Sequence, residues 1–542
     1  MFSEPVVGER FFGRDEVLEL LNKRISALKD GYRQNVALTG QSLAGKTSIL
    51  HHFLYSIREE DFIPVYVEVV KEPFKVFSNR FIATLLYNAL LKTGLDAGFE
   101  LEGLLDKAGE RLPKTYAAIR HINALIEKND YEGAYFNLLA LTSSVKEEVK
   151  KSCVVILDEF DNLEHIGVRN PFLNFGKVIM IQKDTMYIVS SSRNQIFKKI
   201  LSEKLSLLFG NFEIVKISGF DAPNAKRFID TRLNGYEIDA ILKKFLLAFT
   251  DGNPFYLNHL VRKAGQIAGE RMSNYIDTGI LAKAIAETVY DSSGVIHQYL
   301  TNFILDLLDS KRRELYLSIL TSIANGRNKL ADISKSVKVK QSEISRDLME
   351  LCDLGIISKS GIFYRIDDSL LVFWLEKVCQ KRKNLLVDGI FNRTDLFEAE
   401  VNAYISEFVD SSGRDIVERV AELFNSFSNE LVQIDSRQLK LPHFTRIETR
   451  SFPDRRRCLA ATFRGSTWMV QPYTEAVTEN DIVEYIRKTK QPGYKISSRI
   501  IIPLSGIDEN AKLLAKELKI SIWDASSLNN IMTFYGKNKV AI

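Results

Sequence analysis

The sequence predicts an α/β protein built on a parallel sheet, and three observations predict it. Asn35–Gly40, Phe62–Val70, Ser152–Leu157, Met186–Ser190 and Phe212–Ile217 are short Val- and Ile-rich runs separated by helix-like stretches. Buried strands joined by crossover helices read this way. The first run leads into a glycine-rich turn and then an apolar helix, Ser48–Tyr55. The third run ends in two acids, Asp158-Glu159. In an open parallel sheet, ligands collect at the carboxyl ends of strands.

Composition sets the bounds. The 542 residues are 45% apolar and 26% charged, ordinary values for a globular chain of several domains. The net charge of +4 excludes a uniformly basic coat but not a local basic patch. Cys153, Cys352, Cys379 and Cys458 are far apart and form no CxxC pair. They predict neither a disulfide framework nor a zinc site, and they fit a reducing, cytoplasmic setting. Glu4 and Glu9 stand where a signal peptide needs an apolar run, and no run of 18 apolar residues occurs, so neither a leader nor a membrane span is expected.

Gly40-Gln41-Ser42-Leu43-Ala44-Gly45-Lys46-Thr47 is a complete GxxxxGK[ST] motif between a strand and a helix. Its glycines let the backbone fold around phosphate. The N–H groups of Gly40, Ser42 to Thr47 and Ser48 then face the anion. Lys46 is expected to reach the β- and γ-phosphates of ATP, and the Thr47 hydroxyl to ligate Mg²⁺. Asp158 is placed to hold the same ion and Glu159 to orient or deprotonate the attacking water. Asp161 and Glu164 read as cap or surface acids.

On these motifs the first 300 residues resemble a STAND-type P-loop ATPase of the archaeal ATPase family, related to AAA+ proteins. Phe12-Gly13-Arg14-Asp15 resembles that group's N-terminal entry motif, which implies that Arg14 lies near the nucleotide base. The Asp158-Glu159 pair resembles the additional-strand catalytic-glutamate class. Ser190-Ser191-Ser192-Arg193 resembles the sensor strand, implying Arg193 as a γ-phosphate sensor. Gly252-Asn253-Pro254 resembles the helical-lid motif, implying that Pro254 approaches the adenine. The resemblance further implies a Mg²⁺-dependent ATPase that acts as a slow switch. It leaves an oligomer open and assigns no arginine finger.

Beyond the core, residues 220–305 read as a helical lid and 306–378 as a winged helix. In the latter, Gln341–Asp353 would be the recognition helix, with Lys338, Lys340, Gln341, Ser342, Ser345 and Arg346 available for phosphates or bases, although Glu343, Asp347 and Glu350 dilute its charge. The STAND resemblance implies the other role, a module that packs on the ATPase as a relay of the switch, and this reading stands slightly ahead of direct DNA contact. Lys381-Arg382-Lys383 reads as a linker. Gly413-Arg414-Asp415-Ile416-Val417-Glu418 reads as a first core helix, Phe444–Thr449, Cys458–Phe463 and Trp468–Gln471 as strands, and Ile502–Asn510 as a strand-to-helix turn. In this topology residues 379–542 resemble a PD-(D/E)XK nuclease-like domain. There Gln471 and Tyr473 stand where the glutamate and lysine of E-x-K are expected, and neutral groups bind hard cations poorly. The nuclease is therefore expected to be inactive, unless its ligands have migrated to Asp454, Glu475 or Glu418. Arg455-Arg456-Arg457 with Arg464 is either a phosphate-backbone contact or a solvated turn.

The expected function is an ATP-driven switch whose nucleotide state controls engagement of DNA or protein by the two C-terminal modules. A signalling or scaffold ATPase that binds protein only, and an ATP-gated nuclease, are the alternatives. Residues 311–378 and 379–542 each carry a net charge of +3, so nucleic-acid contact is expected after Lys311.

Overall fold

The computed structural model describes residues 4–57, 62–95, 98–205, 210–307, 312–379, 394–434, 437–451, 456–489 and 495–540. The linker reading at Lys381–Lys383 and the readings on Asp454 and Arg455 lie outside them. Strands Asn35–Gly40 (β1), Phe62–Glu68 (β2), Ser152–Asp158 (β3), Thr185–Ser191 (β4) and Phe212–Ile217 (β5) form one sheet in the order β2-β3-β4-β1-β5. Every pair is parallel. β4 therefore lies between the glycine-motif strand and the acid-bearing strand β3.

Successive residues of a strand point to opposite faces, and this sheet uses both. Val36, Leu38, Val154 and Ile156 join Leu21, Ile25, Ile49 and Phe53 from helices Asp15–Lys29 and Lys46–Ser56. Ala37, Val155, Leu157 and Val189 join the other core, against helices Phe74–Lys92, Tyr131–Val149 and Pro171–Ile181. The stretch between β2 and β3 consists of four helices, Phe74–Lys92, Leu101–Arg111, Pro113–Glu127 and Tyr131–Val149. Continuous apolar strands with helices on both faces are the expected α/β arrangement.

The chain divides into two compact units. The first holds the residues up to Gly219 together with Asn253–Phe255 and Asp353–Gly355. The second holds Phe220–Gly252, Tyr256–Cys352 and Ile356–Ile542. It begins with helices Ala222–Leu233 and Ala240–Thr250, and a short parallel pair, Glu237–Ile238 (β6) with Tyr275–Ile276 (β7). Helices Arg313–Ala324, Leu330–Val337 and Gln341–Asp353 follow, then the antiparallel hairpin Ile357–Ser360 (β8) and Phe363–Ile366 (β9).

A second hairpin, Glu430–Ile434 (β10) and Arg437–Leu441 (β11), was not anticipated from the sequence. It precedes a five-stranded mixed sheet of Arg446–Ser451 (β12), Arg457–Phe463 (β13), Ser466–Tyr473 (β14), Ile496–Pro503 (β15) and Ser521–Ile522 (β16). β12 to β14 are antiparallel, and β14 to β16 are parallel. Among the described residues no helix is long and apolar enough to cross a membrane.

Candidate functional site

The glycine motif is shaped by a close approach. Gly40 pairs with Ile217 of β5, and a Cβ there would lie 2.1 Å from the Ile217 carbonyl oxygen. Only glycine lets β1 end this near its neighbour. Leu43 and Gly45 then take left-handed backbones, and a helix begins at Lys46. The first N–H groups of a helix lack partners within it, which leaves them free for an anion.

The motif's other residues are anchored from several directions. Arg14 Nη2 donates to the carbonyls of Ala44 at 3.1 Å and Ser218 at 2.7 Å, tying the loop to the end of β5. Ser48 Oγ accepts the Val6 N–H at 3.1 Å. Asn253 Nδ2 donates to the Ser42 carbonyl at 3.4 Å, and Pro254 Cγ lies 3.9 Å from where a Cβ of Gly45 would stand. Sequence reasoning named Pro254 but gave no role to Asn253, which is buried beside it.

Lys46 is buried, and its Nζ donates to the carbonyls of Gly40 and Gln41, both at 3.0 Å, and to Ser192 Oγ at 2.9 Å. Burial lowers its pKa, while Glu159, Asp158 and Asp161 work to raise it. The Thr47 hydroxyl donates to Asp158 Oδ2 at 2.8 Å. Asp158, 1% exposed at the end of β3, also accepts from the Tyr66 hydroxyl at 3.0 Å and from Ser190. Tyr66 is a site residue that the sequence did not signal, because its place depends on the β2–β3 register.

Glu159 has a left-handed backbone, φ 51°, which turns the chain directly after the strand. Its carboxylate accepts the Ser192 N–H at 3.1 Å and the Ser192 hydroxyl. Burial raises its pKa, against the pull of Lys46 and Ser192. A carboxylate raised in this way holds a proton more tightly than a free one, which favours it as a proton acceptor.

Arg193 lies just past β4. Its Nε pairs with Asp161 Oδ2 at 2.6 Å, and Nη2 donates to Asn162 Oδ1. Asp161 also accepts from Ser191 Oγ at 2.6 Å and is only 2% exposed. This corrects the reading of Asp161 as a cap or surface acid. Its partners come from the next strand, about 30 residues on. Glu164 is a surface acid, paired with Lys204 at 2.6 Å.

The oxygens at this site suit Mg²⁺ in kind and number. Thr47 and Asp158 already share a hydrogen bond, and among the described residues no group of three His, Cys, Asp or Glu could form an all-protein metal cage. Mg²⁺ is usually held by one or two protein oxygens plus phosphates.

Residues 10–167 match the family model of the AAA ATPase domain. That match covers the glycine motif and the Asp158-Glu159 pair, and it assigns nucleotide binding and ATPase chemistry in general to this stretch. The matched stretch stops short of Arg193 and Pro254. No match was found among curated proteins.

Solved structures similar to the chain include the following three. One is the Walker-type ATPase PABY2304 of Pyrococcus abyssi, at 15% identity and TM-score 0.44, covering 69% of this chain and 99% of that one. Another is the ORC2 protein of Aeropyrum pernix in ADPNP–ADP complexes, at 13% identity and TM-score 0.44, covering 71% and 98%. The third is the Thermotoga maritima RuvB Holliday junction branch migration motor, at 16% identity and TM-score 0.34, covering 68% and 96%.

In the second unit, Lys338, Lys340, Gln341, Ser342 and Arg346 are exposed and Ser345 is half-buried. Acids are interleaved: Arg312 pairs with Asp347, and the Tyr316 hydroxyl donates to Glu350 at 2.6 Å. The β8–β9 hairpin is docked on β10. Ile362 N–H donates to the Leu431 carbonyl at 3.1 Å, and Ser360 Oγ exchanges two 2.9 Å bonds with the backbone of Gln433.

In the C-terminal sheet, Gln471 is 1% exposed and Tyr473 is buried beneath Arg456. Glu475 is exposed, and Glu418 pairs with Arg457 at 3.5 Å. Arg457 also pairs with Asp415 at 3.1 Å, and Arg456 pairs with Asp481. Two arginines of the basic run thus face acids, while Arg464 is exposed.

Proposed function

We propose that the chain is a Mg²⁺-dependent ATPase switch. The observation that carries this reading is the convergence of Lys46, Thr47, Asp158 and Glu159 at the ends of β1 and β3, with the Thr47–Asp158 bond at 2.8 Å. Bound ATP supplies the phosphoryl group, and Mg²⁺ would be held by Thr47 and Asp158. The backbone of Gly40, Ser42, Leu43, Ala44, Gly45 and Ser48 cradles phosphate, and Lys46 gives up its carbonyl partners to the anion. Glu159 orients water and takes its proton. Arg14 and Pro254 border the base. Arg193 exchanges Asp161 for the γ-phosphate.

The nucleotide state then governs what residues 306–378, read as a winged helix, and 379–542, read as an inactive nuclease-like domain, engage. DNA is the favoured partner because exposed Lys338, Lys340 and Arg346 cluster around one helix start. The interleaved acids favour a protein partner as the second reading. Migrated nuclease ligands find least support, since Glu418 is engaged by Arg457.

ATP binding and turnover by the wild-type protein and Lys46→Ala test the first part. Losing a charged hydrogen-bond donor should lower ATP affinity roughly tenfold to a hundredfold. Equal affinity in the two proteins would remove Lys46 from the site. Salt-dependent DNA binding, compared with and without ATP, tests the second part.

A further inference from the structure

The Gly252-Asn253-Pro254 turn is gripped on both flanks by one dipeptide. Asp251 closes helix Ala240–Thr250 with a left-handed backbone. Its carboxylate accepts the Ser369 N–H at 2.7 Å and the Ser369 hydroxyl at 3.0 Å. It also pairs with Lys539 Nζ at 2.6 Å. On the other flank, the buried Tyr256 hydroxyl donates to Asp368 Oδ2 at 2.7 Å. Asp368 in turn caps the next helix by accepting the Leu371 N–H at 2.9 Å. Residues 368 and 369 therefore fix the positions just before and just after the turn, and Lys539 adds a hold from the C-terminal segment.

The turn itself carries Asn253 and Pro254, the residues that meet Ser42 and Gly45 of the glycine motif. Lys539 and Asp251 have side chains 28% and 29% exposed. A pair this accessible contributes little to overall stability. Its loss should therefore be felt where it acts, in how firmly the turn is set.

We infer that Asp251 and Lys539 are a positioning pair for the nucleotide site: Lys539 holds Asp251, and Asp251 with Tyr256 sets the Asn253-Pro254 turn against the glycine motif. This rests on the ATP-binding reading above. It goes further by giving the C-terminal segment an input to nucleotide affinity. When the turn is less populated in its set position, apparent affinity falls by that fraction.

The test is ATP affinity and steady-state kinetics in the full chain for Lys539→Ala, Lys539→Arg, Asp251→Asn and the Ala/Asn double variant. Lys539→Ala should raise KM and Kd for ATP about threefold to tenfold, with kcat changed less than twofold. Lys539→Arg should restore wild-type values. Asp251→Asn keeps one oxygen for the Ser369 N–H and turns an NH2 toward the Ser369 hydroxyl, which can accept it; it should match Lys539→Ala, and the double variant should be no worse than either single change. Unchanged KM and Kd in Lys539→Ala and Asp251→Asn, or strictly additive losses, overturn the pair. Should Lys539→Ala fail to fold, Asp251→Asn alone decides by the same readings. Wild-type protein that binds no ATP overturns the ATP-binding reading itself and this one with it.

Discussion

Ser192 donates both its backbone N–H, at 3.1 Å, and its hydroxyl to the carboxylate of Glu159. The same hydroxyl oxygen accepts Lys46 Nζ at 2.9 Å. One serine thus links Lys46, the proposed phosphate ligand, to the proposed base. Its hydroxyl lowers the Glu159 pKa against the burial that raises it. Ser192→Ala should therefore move the acidic limb of the kcat/KM profile to higher pH. A limb that stays in place would show that Glu159 leaves Ser192 before catalysis.

Glu159→Gln keeps the shape of the side chain and an oxygen for the Ser192 N–H, while its NH2 can donate to the Ser192 hydroxyl. It removes the proton acceptor. ATP binding should persist while single-turnover hydrolysis falls about 10²- to 10⁴-fold, the usual worth of a positioned base. Wild-type hydrolysis in this variant would take Glu159 out of that role.

The parts of the site legible in the sequence are those whose signal is local. The glycine motif, the strand before it and the Asp158-Glu159 strand end each lie within a few consecutive residues. Tyr66, Asp161 and Asn253 were missed because their meaning depends on partners from other elements. Asp161 looks like any acid after a strand until Ser191 and Arg193 are brought to it. The β10–β11 hairpin was missed for a related reason. Its burial alternates over only five residues, and it docks on a hairpin about 70 positions earlier.

That docking makes a second kind of prediction. Gly361 sits at φ 62°, and a Cβ there would lie 1.9 Å from the Leu431 carbonyl oxygen. Gly361→Ala combines left-handed strain with a backbone clash, together roughly 2–4 kcal/mol. The β8–β9 hairpin should lift from β10. Amide exchange at Ile362, whose N–H bonds Leu431, should then speed up sharply. Unchanged protection at Ile362 would mean that the hairpin absorbs the methyl group locally.

Asp368 carries a pH dependence whose sign is fixed by its burial. The carboxyl is pushed up to about 6, chiefly by desolvation, and the hydrogen bonds from Leu371 and Tyr256 only partly offset this. The folded chain therefore binds this proton more tightly than the unfolded chain does. The stabilisation is fully present below the ordinary aspartate range, near pH 4, and is lost as pH rises through about 6. At ~1.4 kcal/mol per pH unit, the span amounts to about 3 kcal/mol. Asp368→Asn keeps an oxygen for the Leu371 N–H, can donate its NH2 to the Tyr256 hydroxyl, and has no charge to bury. It should melt higher than wild type at pH 8, by several degrees, and the difference should shrink toward pH 4. Melting curves for the two proteins from pH 4 to 8 measure it directly. Parallel curves across that range would show that Asp368 does not titrate there.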